Sequence, residues 1–121
     1  MKRNVLVVHD SAAGRKNISC ILSQDGMDVD FAESCEDAGR KIDLKHYDLL
    51  IIDETVHGFS EEWIKDAAGK WFEEIGLPLL LLTSEENADE LVYTCNGLEC
   101  RRIAKPFSTD TLRSAVHRIT A

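Results

Sequence analysis

Tyr47-Asp-Leu-Leu-Ile-Ile-Asp53 sets four consecutive large aliphatic residues between two acids. A run this short and this uniformly apolar fits a strand buried on both faces of a sheet, over about Asp48–Ile52. Val5-Leu-Val-Val8 before it and Leu79–Leu82 after it have the same character. Between these runs the spacing becomes helical. Ile18, Ile21 and Leu22 share one face of a segment from about 12 to 24, closed by Gln24-Asp25-Gly26. Met27–Ala32 alternates as a short edge strand. Ser34 with Asp37 reads as an N-cap and an acidic first turn for a helix through Leu44. Ser60-Glu-Glu opens a third helix carrying Trp63, Ile64, Ala67, Ala68, Trp71 and Phe72 on one side, aromatic residues that pack in a core. Gly76-Leu-Pro78 ends it. A fourth helix is expected from about 86 to 96, although Tyr93 and Thr94 favour strands. Arg101–Ala104 is a short last strand, and Ser108 caps a closing helix with Leu112, Ala115, Val116 and Ile119. The pattern is (βα)5: one α/β doubly wound domain with a parallel five-stranded sheet and right-handed crossovers.

The bulk numbers narrow the class. At 121 residues the chain is the size of one domain with one core, and a 44 % apolar, 30 % charged composition is that of a globular protein. A net charge of −8 argues against direct binding to nucleic acid or an anionic membrane, which would repel it. No apolar run approaches the roughly 20 residues needed to cross a bilayer, and Met1-Lys-Arg-Asn4 leads into too short a run for a signal peptide. Cys20, Cys35, Cys95 and Cys100 include no C-x-x-C pair and sit in or beside apolar segments, so they read as core fillers in a reducing, cytoplasmic setting.

Periodicity alone does not choose the strand order; the polar residues at the strand ends do better. His9 and Asp10 follow the first strand, Asp53 the third, Thr83 and Ser84 the fourth, Lys105 the fifth. In open α/β sheets that carboxyl edge is where ligands bind. Order 2-1-3-4-5 puts Asp10 beside Asp53, with Thr83 and Lys105 on its other side. Two carboxylates about 4 Å apart repel by roughly 4 kcal/mol at an effective dielectric near 20, which invites a divalent cation such as Mg2+. Carboxylate, metal, ammonium and hydroxyl around one point are the parts that phosphoryl transfer uses. Taken singly, each residue could be a turn former or a helix cap. The set carries the argument.

With these residues in place, the chain resembles the response-regulator receiver domains of two-component signalling over essentially its whole length, residues 1–121. The resemblance rests on Val5-Leu-Val-Val-His-Asp10, Tyr47–Asp53, Leu79-Leu-Leu-Leu-Thr-Ser84 and Lys105-Pro-Phe107. It implies a flavodoxin-like fold and a switch rather than a turnover enzyme, one that assists its own phosphotransfer and autodephosphorylation. Asp53 would accept a phosphoryl group from a histidine kinase or histidine phosphotransfer protein. Asp10, Asp53 and the carbonyl of Thr55 would hold Mg2+. Lys105, Thr83 and Ser84 would meet the phosphoryl oxygens. Thr83 would then remodel a surface of the fourth helix, fifth strand and fifth helix that binds a downstream effector. Lys105–Pro106 resembles the family's cis peptide, and Thr55 and Glu85 the positions that set the lifetime of the phosphorylated state. The closing helix ends close to Ala121, so the expectation is a receiver standing alone or cut from a longer regulator.

The departures are specific. His9 stands where the family has an acid, which weakens Mg2+ or admits a nitrogen-tolerant metal. Arg102 occupies the position of an aromatic switch residue. The loop Glu54-Thr-Val-His-Gly58 lacks Met-Pro, and His57 reads as a surface residue. The retained acceptor, hydroxyl and lysine favour a working phospho-receiver. The alternative is a pseudo-receiver, the same fold binding partners without phosphorylation. A haloacid-dehalogenase-type phosphatase would need a second acid where Thr55 stands. A nucleotide-binding flavodoxin-like protein would need a phosphate loop that Ala12-Ala13-Gly14 does not supply.

Overall fold

In a computed structural model, which describes residues 2–84, 92–95 and 98–120, the elements alternate as expected through the first eighty residues. They are β1 (Asn4–Val8), α1 (Ala12–Gln24), β2 (Asp28–Ala32), α2 (Cys35–Leu44) and β3 (Leu49–Asp53). The next helix, α3, runs Glu61–Trp63, widens into a π-helical stretch Ile64–Ala68 and finishes as Gly69–Ile75. Then come β4 (Leu79–Thr83), β5 (Val92–Cys95), β6 (Leu98–Ala104) and a closing helix, α4 (Thr109–Thr120).

Five strands run parallel in the order β2-β1-β3-β4-β6, the expected 2-1-3-4-5 arrangement. β5 is a sixth strand, antiparallel to β6 at the sheet edge, with Tyr93 opposite Cys100. This corrects the expected fourth helix over 86 to 96. Val92, Tyr93 and Thr94 are β-branched or aromatic, and pairing along the open edge of β6 satisfies backbone groups that a short, weakly periodic helix would not. Residues 85–91, with Glu85, lie outside the described residues. The partner surface expected around a fourth helix therefore has a strand at Val92–Cys95.

Side-chain alternation along the buried strands divides the core in two. Leu6, Val8, Leu50, Ile52 and Leu81 face Ala38 and Ile42 of α2 and Ile64 and Ala68 of α3. Val5, Val7, Leu49, Ile51, Leu80 and Leu82 face Ile18 and Leu22 of α1 and Leu112, Ala115 and Val116 of α4. The expected caps are made: Ser34, Ser60 and Ser108 accept from the amides of Asp37, Trp63 and Thr111 at 3.1, 3.0 and 3.0 Å. Gly76 takes the left-handed conformation that ends α3 (φ 68°).

The π-helical stretch has a local consequence. One widened turn plus one ordinary turn comes to about eight residues, so side chains eight apart stack on one face. Trp63 and Trp71 do so, edge to face at 5.7 Å, with Phe59 6.1 Å from Trp63. They pack on the α2/α3 side of the core, as expected of packing residues.

Cys35 is buried, and burial pushes its thiol up to about 11. Cys20 corrects the expectation of a core filler: it is exposed, because the buried stripe of α1 is Ile18, Ile21 and Leu22. The side chains of Cys95 and Cys100 lie outside the described residues. Among the described residues no helix is long and apolar enough to cross a membrane.

Candidate functional site

The parallel register brings the strand ends to one edge. Asp53 closes β3 beside Leu82 of β4, and Glu54 N–H donates to the Leu82 carbonyl at 3.0 Å. Lys105 follows β6, its amide donating to the Thr83 carbonyl at 2.8 Å, and Lys105–Pro106 is a cis peptide as expected. His9 follows β1, with its amide on the Ala32 carbonyl at 3.0 Å.

Asp53 is fully buried, an expensive place for a carboxylate unless it is paired and hydrogen-bonded. It is both. The amide and hydroxyl of Thr55 donate to Oδ1 at 2.9 and 2.7 Å. Lys105 Nζ sits on Oδ2 at 2.5 Å, and His9 Nε2 is 3.2 Å from the same oxygen. Oδ1 thus has two donors and Oδ2 has one, with the His9 ring beside it. Burial pushes the Asp53 carboxyl up, but the Lys105 ammonium and the two Thr55 donors outweigh burial and hold it below the usual carboxylate range.

The sign of the pH dependence follows. With the folded value below the unfolded one, near 3.9, this group stabilises the fold above about pH 4 and the contribution fades as pH falls through the lowered value. Denaturant unfolding of wild type and Asp53→Asn should therefore diverge in slope below about pH 4, the wild type falling more steeply. Parallel curves would contradict the assignment.

His9 is set by the start of α1. Its Nδ1 accepts the Ser11 amide at 3.0 Å, while the Ser11 hydroxyl caps the Gly14 amide at 3.2 Å. A ring nitrogen that accepts carries no proton, so the ring is neutral and Nε2 bears the hydrogen. Gly14 makes the space: a Cβ there would lie 2.5 Å from His9 Nε2. In an ordinary helix Gly→Ala gains up to about 1 kcal/mol. Gly14→Ala is expected instead to lose about 1–3 kcal/mol by overpacking the buried imidazole. In a His9→Ala background the same change should cost nothing, which a double-mutant cycle by chemical denaturation checks.

The other expected site residues are placed as follows. Asp10 is exposed, its Oδ1 3.7 Å from His9 Nδ1 and too far to hydrogen-bond. Thr83 is buried at the end of β4, and Ser84 is exposed. Arg102 is gripped by Glu54, with Nε and Nη2 donating to its two carboxylate oxygens at 2.9 and 2.7 Å. His57 is exposed as expected, and its carbonyl accepts the Cys35 amide at 3.1 Å. Sequence reasoning missed Gly14 and Glu54. Gly14 carried a signal, a glycine in the first turn of a helix next to a histidine. Glu54 carried none, since its partner is 48 residues away.

No protein-family model matches the sequence, and no curated protein matches it. Solved structures do match. The chemotaxis response regulator CheY4 of Vibrio cholerae superposes with a TM-score of 0.78 at 24 % identity, over 98 % of this chain and 99 % of that one. The response regulator TrrA of Thermotoga maritima, in complex with Mg2+ and beryllofluoride, superposes at 0.75 with 26 % identity over 98 % and 99 %. The fold is that of a response-regulator receiver domain. A two-component response regulator of Clostridium difficile shares it at 0.76 and 20 % identity, over 98 % and 95 % of the chains. Within the receiver fold, the antiparallel β5 and the Arg102–Glu54 pair are features of this chain's own geometry.

Proposed function

We propose that this domain is a phosphoacceptor receiver, modified on Asp53 by a histidine kinase or histidine phosphotransfer protein. The observation that carries the reading is the buried Asp53 carboxylate with the Lys105 ammonium on Oδ2 at 2.5 Å, at the ligand-binding edge of the sheet. An Asp53 oxygen attacks phosphorus, an O–P bond forms and the P–N bond of the donor breaks. The electron pair leaves with the nitrogen, which takes a proton. Lys105 stabilises the charge gathering on the phosphoryl oxygens, and Thr83 and Ser84 are the hydroxyls at and just beyond the end of the next strand.

The product is a signalling state rather than a released molecule. A modified Asp53 biases a two-state equilibrium, typically by about 1–3 kcal/mol, and alters affinity for an effector partner. The expected surface lies toward β5, β6 and α4. A receiver of this kind acts in the cytoplasm, and a net charge of −8 disfavours direct contact with nucleic acid or an anionic membrane.

A cation over Asp10, Asp53 and Thr55 would compete with the donors already on Asp53. Asp53 offers about four lone-pair sites; three protein donors engage them, and the His9 ring stands 3.2 Å from Oδ2 beside the fourth. The residues do not fit a Mg2+ ion held as expected, and no step is assigned to one.

Incubation with phosphoramidate, followed by intact-mass measurement and peptide mapping, tests the reading. One phosphoryl group on Asp53, lost in Asp53→Asn, supports it. The three donors on Asp53, with the His9 ring packed beside them, favour a second reading, the pseudo-receiver. Wild-type protein that stays unmodified while remaining folded would select it.

A further inference from the structure

We infer that His9 takes the position on Asp53 Oδ2 that a divalent cation would otherwise occupy, so that the acceptor site works without one. The inference deepens the phosphoacceptor reading and rests on it for its reaction arm. Three independent features of the fold build this position. The imidazole Nε2 lies 3.2 Å from Oδ2. Its Nδ1 is tied to the Ser11 amide at 3.0 Å, which fixes the ring and leaves its hydrogen on Nε2, the nitrogen next to Asp53. And Gly14 lacks the Cβ that would strike the ring at 2.5 Å.

A neutral ring in this tautomer cannot be a metal ligand toward Asp53, because ligation needs the lone pair that the proton covers. A cation arriving at Oδ2 would have to expel the imidazole from its packed place and break the Ser11 bond. It would then find one buried carboxylate, since Asp10 is exposed to solvent. His9 fills the place beside the acceptor oxygen. Lys105 supplies the positive charge.

Two measurements on the intact domain decide it. The first is Mn2+ titration followed by the electron paramagnetic resonance signal of the free ion. Wild type is expected to show no saturable binding at millimolar Mn2+, and His9→Asp to bind about ten-fold or more tightly, because an added carboxylate attracts the ion. His9→Ala, which removes the ring without adding charge, is expected to shift in the same direction and serves if His9→Asp fails to fold. The second is phosphoramidate labelling in Mg2+ and in EDTA. The wild-type rate is expected to be the same within about two-fold in both, while that of His9→Asp falls about ten-fold or more in EDTA. Wild type that binds Mn2+ as tightly as the variants, or is labelled only with Mg2+, overturns the inference and leaves the phosphoacceptor reading standing. No label on wild type in either buffer overturns that reading instead, and with it the claim that the site works without a cation.

Discussion

Lys105→Ala is expected to slow phosphoryl labelling of Asp53 by about 100- to 1,000-fold, the usual consequence of removing one preorganised group from a developing anion. It is also expected to lower stability by about 1–3 kcal/mol at neutral pH, less than the figure for stripping one partner from a fully buried ion pair. The discount has two sources. Lys105 is 29 % exposed, so water already screens it, and Thr55 and His9 remain on the carboxylate. Without the ammonium, burial is less opposed and the Asp53 carboxyl rises. The variant's stability deficit should then shrink as pH falls toward about 4, where Asp53 protonates more readily than in wild type. Lys105→Arg, which keeps the charge but not the compact ammonium, should label at an intermediate rate. Single-turnover labelling and denaturant unfolding read the two effects separately. Equal labelling rates in Lys105→Ala and wild type would remove Lys105 from the chemistry.

Leu50→Ala is expected to cost about 2–5 kcal/mol, the range for deleting a buried leucine side chain from a core that relaxes only partly. Leu50 is 1 % exposed, paired in register with Leu6 on one side and Leu79 on the other, and packed toward α2 and α3. β3 is the central strand and carries Asp53 at its end, so the loss falls on the element that holds the acceptor. A domain is typically stable by only about 5–15 kcal/mol, so a measurable unfolded fraction is expected on warming. Labelling per folded molecule should stay near wild type, because no site residue is touched. Leu44→Ala makes the contrast: at 86 % exposure it should change stability by no more than about 0.5 kcal/mol. Urea unfolding of both variants checks the difference.

What the sequence revealed and what it hid have physical reasons. Strands such as Val5–Val8 and Leu79–Leu82 were legible because burial on both faces demands an unbroken apolar run. The meeting of Asp53 with Lys105 was legible because parallel strands put all their carboxyl ends on one edge. The edge at Val92–Cys95 was not: a helical pattern was weak there, and the strand depends on a partner, β6, that local periodicity does not reveal. His9 is legible in the sequence as a departure and a missing charge, but not as a packed ring. The Ser11 amide, the gap at Gly14 and the resulting tautomer are three-dimensional facts. The Arg102–Glu54 pair is of the same kind, joining the end of one strand to another across 48 positions.

The most direct test is a crystal structure of the domain grown with beryllofluoride. The phosphoacceptor account predicts a BeF3 group bonded to an Asp53 carboxylate oxygen, with the Lys105 ammonium moved onto one of its fluorines. A structure at saturating beryllofluoride with Asp53 bare, still held by Thr55 and Lys105, would contradict it.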